Sequence, residues 1–226
     1  MEQQSLLYEN RFLESWVGSI ITKPSTAILE LVANCWDAYS TQVDITWPDV
    51  EQNRQFSIVD NGKGMTKKDF EYIWRAMSYD RRIRYGSTVT PPADVQGLPR
   101  TVFGRNGKGR FASFCFSDEY LITSKKNGEK FTYRVFRTPE NPLVLEELEF
   151  VDNGVSGHGV EIRGSGKIRQ IAFTEDQIRE FLGNRFLTSN SRYAKKPNKY
   201  RWSEIQFSQT LHRVKKDRQY NKCSFL

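Results

Sequence analysis

Cysteine and histidine are scarce in this chain, with three and two copies among 226 residues. Cys35, Cys115 and Cys223 stand far apart, no C-x-x-C pair occurs, and only His158 and His212 could join them. This argues against a zinc site or a disulfide framework, and an odd set of dispersed thiols points to a reducing, cytoplasmic setting. No run approaches the roughly 18 to 20 apolar residues of a membrane span. The opening MEQQSLLYENRF has neither the basic flank nor the apolar run of a signal peptide. No membrane partner is expected. Internal repeats and low-complexity tracts are absent too. The chain does hold 38% hydrophobic, 13% aromatic and 27% charged residues, enough for one good core without a staple.

The net charge of +7 is unevenly placed. Residues 188–226 carry ten Lys or Arg against Glu204 and Asp217, a net of +8, which leaves −1 for residues 1–187. The basicity belongs to the tail, and the two parts are read as a folded domain over 1–187 and a basic extension, or the start of a second domain, over 188–226.

The strongest periodic signal follows Pro24, where Ser25 or Thr26 can cap a helix running to about Tyr39 with Ile28, Leu31, Val32, Cys35 and Tyr39 as its buried stripe. Val43, Ile45 and Trp47 alternate as a strand. Phe56, Ile58 and Val59 form a second, ending at Asp60-Asn61-Gly62. A helix is predicted over about 67–78. From Tyr79 to Arg105 prolines, glycines and arginines follow no period, as a functional lid would. Beyond Gly109 come a short helix, strands over 119–125 and 130–137 joined at Asn127-Gly128, strands over 143–151 and 160–163, and a helix over 175–187. Hairpin-linked strands and separate helices predict an α+β fold, with helices on one face of a mostly antiparallel sheet.

Three segments carry chemistry. Glu30, Asn34 and Asp37 stand at i, i+4 and i+7, within an arc of about 60° on the helix face opposite the apolar stripe. Alone, a solvated face explains them. Asp60-Asn61-Gly62-Lys63-Gly64-Met65 ends a strand with an acceptor and two glycines that allow close approach to a ligand, although a hairpin turn would use the same residues. Gly104-Arg105-Asn106-Gly107-Lys108-Gly109-Arg110-Phe111 is a glycine-rich loop with cations suited to phosphate oxygens, or else a hinge. It is not a P-loop, because Gly109 follows Lys108.

In this order and spacing the segments resemble the GHKL ATPase superfamily: ELVANCWDA at 30–38, VDNGKGM at 59–65 and GRNGKGRFA at 104–112. The resemblance covers roughly residues 25–165 and implies a two-layer α/β sandwich, the Bergerat ATP-binding fold. It implies ATP/ADP and Mg2+ as ligands. Glu30 would be the general base, and Asn34 would ligate magnesium through its amide oxygen. Asp60 would accept the adenine amino hydrogen. Gly62 and Gly64 would admit the base, and Met65 would pack on its ring. Gly104, Asn106, Gly107, Lys108, Gly109 and Arg110 would cradle the phosphates beneath the lid, and Asp37 would support Glu30 or the adenine side. One departure stands out: Gly157-His158-Gly159-Val160-Glu161-Ile162 places Val160 where the family has a threonine whose hydroxyl helps the adenine-binding aspartate.

The resemblance leaves a Mg-dependent ATPase switch, a nucleotide-gated scaffold with little hydrolysis, or a protein kinase module. Glu30 and Asp37-Ala38 disfavour the kinase, whose relatives usually carry Asn at the first position. The segment IRQIAFTEDQIREFLGNRFL looks similar to chaperone-like and microrchidia-like members, in which closure drives attached domains. In many relatives a Lys or Arg of the following domain completes the phosphate site, so slow turnover is expected here. A nucleotide-dependent homodimer is a further expectation. The tail over 188–226 reads as a solvated extension or strand, as a nucleic-acid contact, or as a site for an acidic protein.

Overall fold

A computed structural model describes residues 15, 18–48, 55–76, 83, 86–92, 95, 97–104, 107–139, 141, 143–169, 171–193 and 205–207. Helix α1 (Ser19–Thr22) leads into α2 (Pro24–Asp37), followed by strands β1 (Val43–Thr46) and β2 (Ser57–Asp60) and helix α3 (Lys67–Arg75). The short strands β3 (Thr88–Val89) and β4 (Arg100–Thr101) precede a 3-10 helix, Gly109–Cys115. Next come β5 (Ser117–Lys126), β6 (Glu129–Phe136), β7 (Val144–Val151), β8 (Gly159–Ile168), helix α4 (Glu175–Tyr193) and β9 (Ile205–Phe207).

The main sheet runs β7-β6-β5-β8-β2-β1-β9, antiparallel throughout except for the parallel pair β1 and β9. One face packs against the helices. Ile28, Leu31, Val32 and Cys35 of α2 join Ile45, Ile58, Tyr120, Ile122, Phe131 and Val135 of the strands in a single core. Each of these aliphatic side chains contributes about 1.5–3 kcal/mol on burial. The other face is polar: Arg134 binds Glu119 and Glu146, Lys130 binds Glu149, and Arg163 binds Glu161. This is the α+β, two-layer arrangement that the element order predicts.

Several boundaries differ from expectation for local reasons. Neither Ser25 nor Thr26 caps α2; Lys23 is the N-cap without a side-chain bond, and Pro24 takes the first turn, where its missing N–H goes unneeded. Thr66 and Asp69 form a capping box on α3. That helix ends at Arg75 rather than 78, because Ala76 turns extended and the buried Arg110 guanidinium takes the carbonyls of Ile73 and Ala76. Strand β8 runs five residues past the expected Arg163 to Ile168. Pairing with β5 as far as Ser117 opposite Ile168 sustains the added residues, although Gly164 and Gly166 are weak strand formers. Within the aperiodic stretch after α3, β3 and β4 form a two-stranded ribbon. Helix α4 continues across position 187, and β9, within the basic stretch, pairs with β1. Among the described residues no helix is long and apolar enough to cross a membrane.

Candidate functional site

Helix α2 supplies one wall of a cavity of about 1180 Å³. Its apolar stripe is fixed in the core, so 100° per residue turns Glu30, Asn34 and Asp37 into the cavity together. Glu30 is half-buried, Asn34 exposed and Asp37 buried. Burial first, and the Asp37 carboxylate second, raise the Glu30 carboxyl above its ordinary range. The glycine-rich loop closes on the same two side chains: a β-carbon at Gly109 would lie 3.0 Å from Asn34 Nδ2 and 3.1 Å from Glu30 Oε2. The first and third segments therefore meet in space, about 75 residues apart in the chain.

Asp60, the last residue of β2, lines the same cavity. Its Oδ1 accepts from Gly62 N at 2.7 Å and from Ser40 Oγ at 3.0 Å. Burial pushes the carboxyl up to about 6, against the opposing hydrogen bonds of Gly62, Ser40, Cys35 and the Val160 main chain. The following loop is held from three sides. Asn61 Oδ1 accepts from the amides of Thr41 and Gln42, His158 Nδ1 lies 2.6 Å from Gly62 O, and Met65 N donates to the buried Ser124 Oγ at 2.7 Å. Gly64 has φ +64, and a β-carbon there would fall 2.0 Å from Lys125 O, so only glycine fits beside β5.

Glu30, Asn34, Asp37, Asp60, Gly64, Met65, Gly104, Gly107, Lys108, Gly109, Arg110 and Val160 all line this one cavity. Gly62 holds Asp60 from beside it, and Asn106 lies outside the described residues. Three residues do something other than expected. Arg110 does not turn its guanidinium to a phosphate; it is 4% exposed and anchors the last carbonyls of α3, the negative end of that helix. The Gly104 amide is taken by Asp37 Oδ2 at 2.9 Å, and Phe103 N donates to Asp37 Oδ1 at 2.8 Å. Asp37 thus ties down the end of the ribbon segment, beside its electrostatic effect on Glu30.

That tie is part of a larger latch. Trp36 Nε1 donates to Thr101 O at 3.0 Å and Tyr39 OH to Leu98 O at 2.8 Å. The Arg100 guanidinium stacks over Tyr39 at 4.0 Å and Trp36 at 4.7 Å while donating to Ser40 O at 2.7 Å. None of Trp36, Tyr39, Ser40, Arg100 and Ser124 announces itself in the sequence as a site residue. Val160, an aliphatic side chain where a hydroxyl is due, is the one signal that a donor must come from elsewhere.

The donor set around Asn34 suits a hard divalent ion bound mainly by phosphate and water. Asn34 lines the cavity, and among the described residues no group of three or more His, Cys, Asp or Glu could hold a metal unaided.

Comparison with known proteins agrees with this geometry. Residues 21–142, more than half of the chain, match the family described as "Histidine kinase-, DNA gyrase B-, and HSP90-like ATPase". The chain is similar to the DNA mismatch repair protein MutL of Rickettsia akari, 30% identical over 129 residues, 57% of this chain and 19% of that protein. MutL of Rickettsia bellii is 29% identical over 58% of this chain and 19% of its own length. The mismatch repair protein pms1 of Schizosaccharomyces pombe is 28% identical over 50% of this chain and 13% of its own. The chain thus spans no more than about a fifth of these relatives. The names of these relatives are those of mismatch-repair proteins.

Proposed function

Because the chain belongs to the histidine kinase-, DNA gyrase B- and HSP90-like ATPase family, we propose that it is a magnesium-dependent ATP-binding domain whose slow hydrolysis drives a conformational or dimerisation switch. The observation that carries this reading is the convergence on one cavity of Glu30, Asn34 and Asp60, with Gly109 close against the first two. A cavity of about 1180 Å³ is ample for a nucleotide.

In this reading Asp60 accepts a hydrogen from the exocyclic amino group of adenine, Gly64 permits close approach, and Met65 packs on the ring. The amides of Gly107 and Gly109 and the Lys108 ammonium face the phosphates. Asn34 Oδ1 would hold Mg2+, which neutralises triphosphate charge when bound. Glu30 orients the attacking water and takes its proton. Its raised proton affinity suits that role near neutral pH, and the neighbouring Asp37 sustains it. The segment over 79–105 closes over the nucleotide as a lid hinged on the α2 latch. The relatives' names place them in DNA mismatch repair. For this chain, contact with nucleic acid or an acidic protein is assigned to the basic stretch 188–226 and a reducing, cytoplasmic setting to its dispersed thiols.

Calorimetry with Mg-ATP beside a phosphate-release assay tests the reading. Wild type should bind ATP in preference to GTP. Glu30→Gln should keep affinity within a few-fold and lower turnover by roughly 10² to 10⁴. Equal loss of binding and turnover would make Glu30 structural, and binding without phosphate release in the wild type would leave a nucleotide-gated scaffold.

A further inference from the structure

Asp60 needs a donor that Val160 cannot supply. In the sheet Val160 stands directly opposite Asp60, and only its main chain reaches the carboxylate. A second hydroxyl approaches from the opposite side. Ser40 follows α2, is fully buried and places Oγ 3.0 Å from Asp60 Oδ1. Its main chain is held at both ends, with Ser40 N donating to Cys35 O at 3.0 Å and Ser40 O accepting from Arg100 at 2.7 Å. A hydroxyl has one hydrogen, and Ser40 directs it at Oδ1 beside the Gly62 amide, on a carboxylate that the Cys35 thiol and the Val160 amide also reach.

We infer that Ser40 is the positioning residue of the base-recognition site: its hydroxyl orients and ionises Asp60, making the pocket select an adenine-type amino group over a guanine-type carbonyl. Val160 on β8 becomes free to be aliphatic for that reason. The arrangement also joins base recognition to the ribbon segment, since Arg100 of β4 grips the same residue whose hydroxyl grips Asp60. This inference rests on the nucleotide reading above and specifies which residue sets its base preference.

The test uses the full chain with Mg-ATP and Mg-GTP, comparing wild type, Ser40→Ala, Ser40→Thr and Ser40→Ala with Val160→Thr. A hydrogen bond to a charged acceptor is worth roughly ten- to a hundredfold in affinity. Ser40→Ala should therefore weaken ATP by about that factor and shrink the preference over GTP, with its melting temperature near that of wild type. Ser40→Thr should bind as wild type does. Adding Val160→Thr should restore most of the loss, since a hydroxyl returns to Asp60 from β8. The pH below which ATP binding fails should rise in Ser40→Ala. The groups bonded to Asp60 are the Cys35 thiol of α2, Ser40, the Gly62 amide and the Val160 amide of β8; Lys63 lines the same cavity and His158 Nδ1 lies 2.6 Å from Gly62 O, and since both are present in wild type and variant alike, the difference between the two profiles reports on Ser40. Unchanged affinity and preference in Ser40→Ala would overturn the assignment while leaving ATP binding intact. A loss that Val160→Thr fails to restore, accompanied by a lower melting temperature, would make Ser40 merely structural. Absence of ATP binding in wild type would overturn the function itself and this inference with it.

Discussion

At Asp60 the carboxylate proposed to recognise the base is also costly to ionise. Burial holds its proton affinity high, up to about 6, because a charge removed from water is disfavoured. Its acceptor role requires the ionised form. ATP affinity is therefore expected to be steady above about pH 7 and to fall as pH drops through about 6, which calorimetry across a pH series would check. Asp60→Asn should abolish measurable binding, because the amide presents a donor to the donor of adenine. Ser113 supplies a contrasting case. Its Oγ is buried within the 3-10 helix with no hydrogen-bond partner among the described residues, so the hydroxyl is desolvated without a compensating bond from them. Ser113→Ala should leave nucleotide binding unchanged and alter stability by between zero and about +1 kcal/mol, a rise of at most about 4 °C in melting temperature.

Among the elements, the packing of α2 against the β3–β4 ribbon matters most for a switch. Trp36, Asp37 and Tyr39 stand in the last turn of α2 and just beyond, and they hold Thr101, Phe103, Gly104 and Leu98. The same helix carries Asn34 one turn and Glu30 two turns earlier, so one rigid rod connects the proposed catalytic groups to the ribbon segment. Tyr39 adopts a left-handed φ of +63, a strained conformation for a bulky residue that its stacked ring and bonded hydroxyl hold in place. Asp37→Asn tests the connection in two ways. One of the amides of Phe103 and Gly104 would face the new NH2, a loss of about 1–3 kcal/mol that should speed limited tryptic cleavage at Arg100. The raising effect of Asp37 on Glu30 would also disappear. Glu30 would then stay ionised to lower pH, and the acidic limb of the turnover profile should move downward.

Across the whole molecule the sheet has one face for the core and one for ion pairs, and its β1 edge is covered by β9. Since β9 lies in the basic stretch, deleting 188–226 removes a sheet strand together with the charge. That truncation should lower the melting temperature whatever the stretch binds. Charge alone is isolated by changing Lys195, Lys196, Lys199 and Arg201 to Gln. If nucleic acid is the partner, affinity for a labelled oligonucleotide should fall and its log–log salt slope should flatten by roughly 0.7–0.9 for each phosphate no longer neutralised. An unchanged slope in anisotropy titrations would reject a nucleic-acid role for those four residues.

Much of this protein was legible locally. The apolar stripe of α2 alone turns Glu30, Asn34 and Asp37 to one side, and alternation along β1, β5 and β6 sets which side chains enter the core. These are consequences of backbone period, and they survive whatever packs around them. The motifs likewise identified residues of the cavity, although each alone also reads as a solvated helix face, a hairpin turn or a hinge, and only their order and spacing together single them out. What partners each polar atom was decided by tertiary structure. Arg110 reads as a phosphate ligand until the end of α3 is placed beside it, and Gly104 reads as a free amide until Asp37 arrives. Ser40 has no motif, and it matters because β2 brings Asp60 within 3.0 Å of its hydroxyl. The ribbon has too few residues in each strand to show a period, and β9 owes its pairing to a β1 edge formed some 160 positions earlier in the chain. Periodicity is a property of neighbours in sequence, whereas satisfying a buried donor or acceptor depends on whichever group the fold brings within about 3 Å.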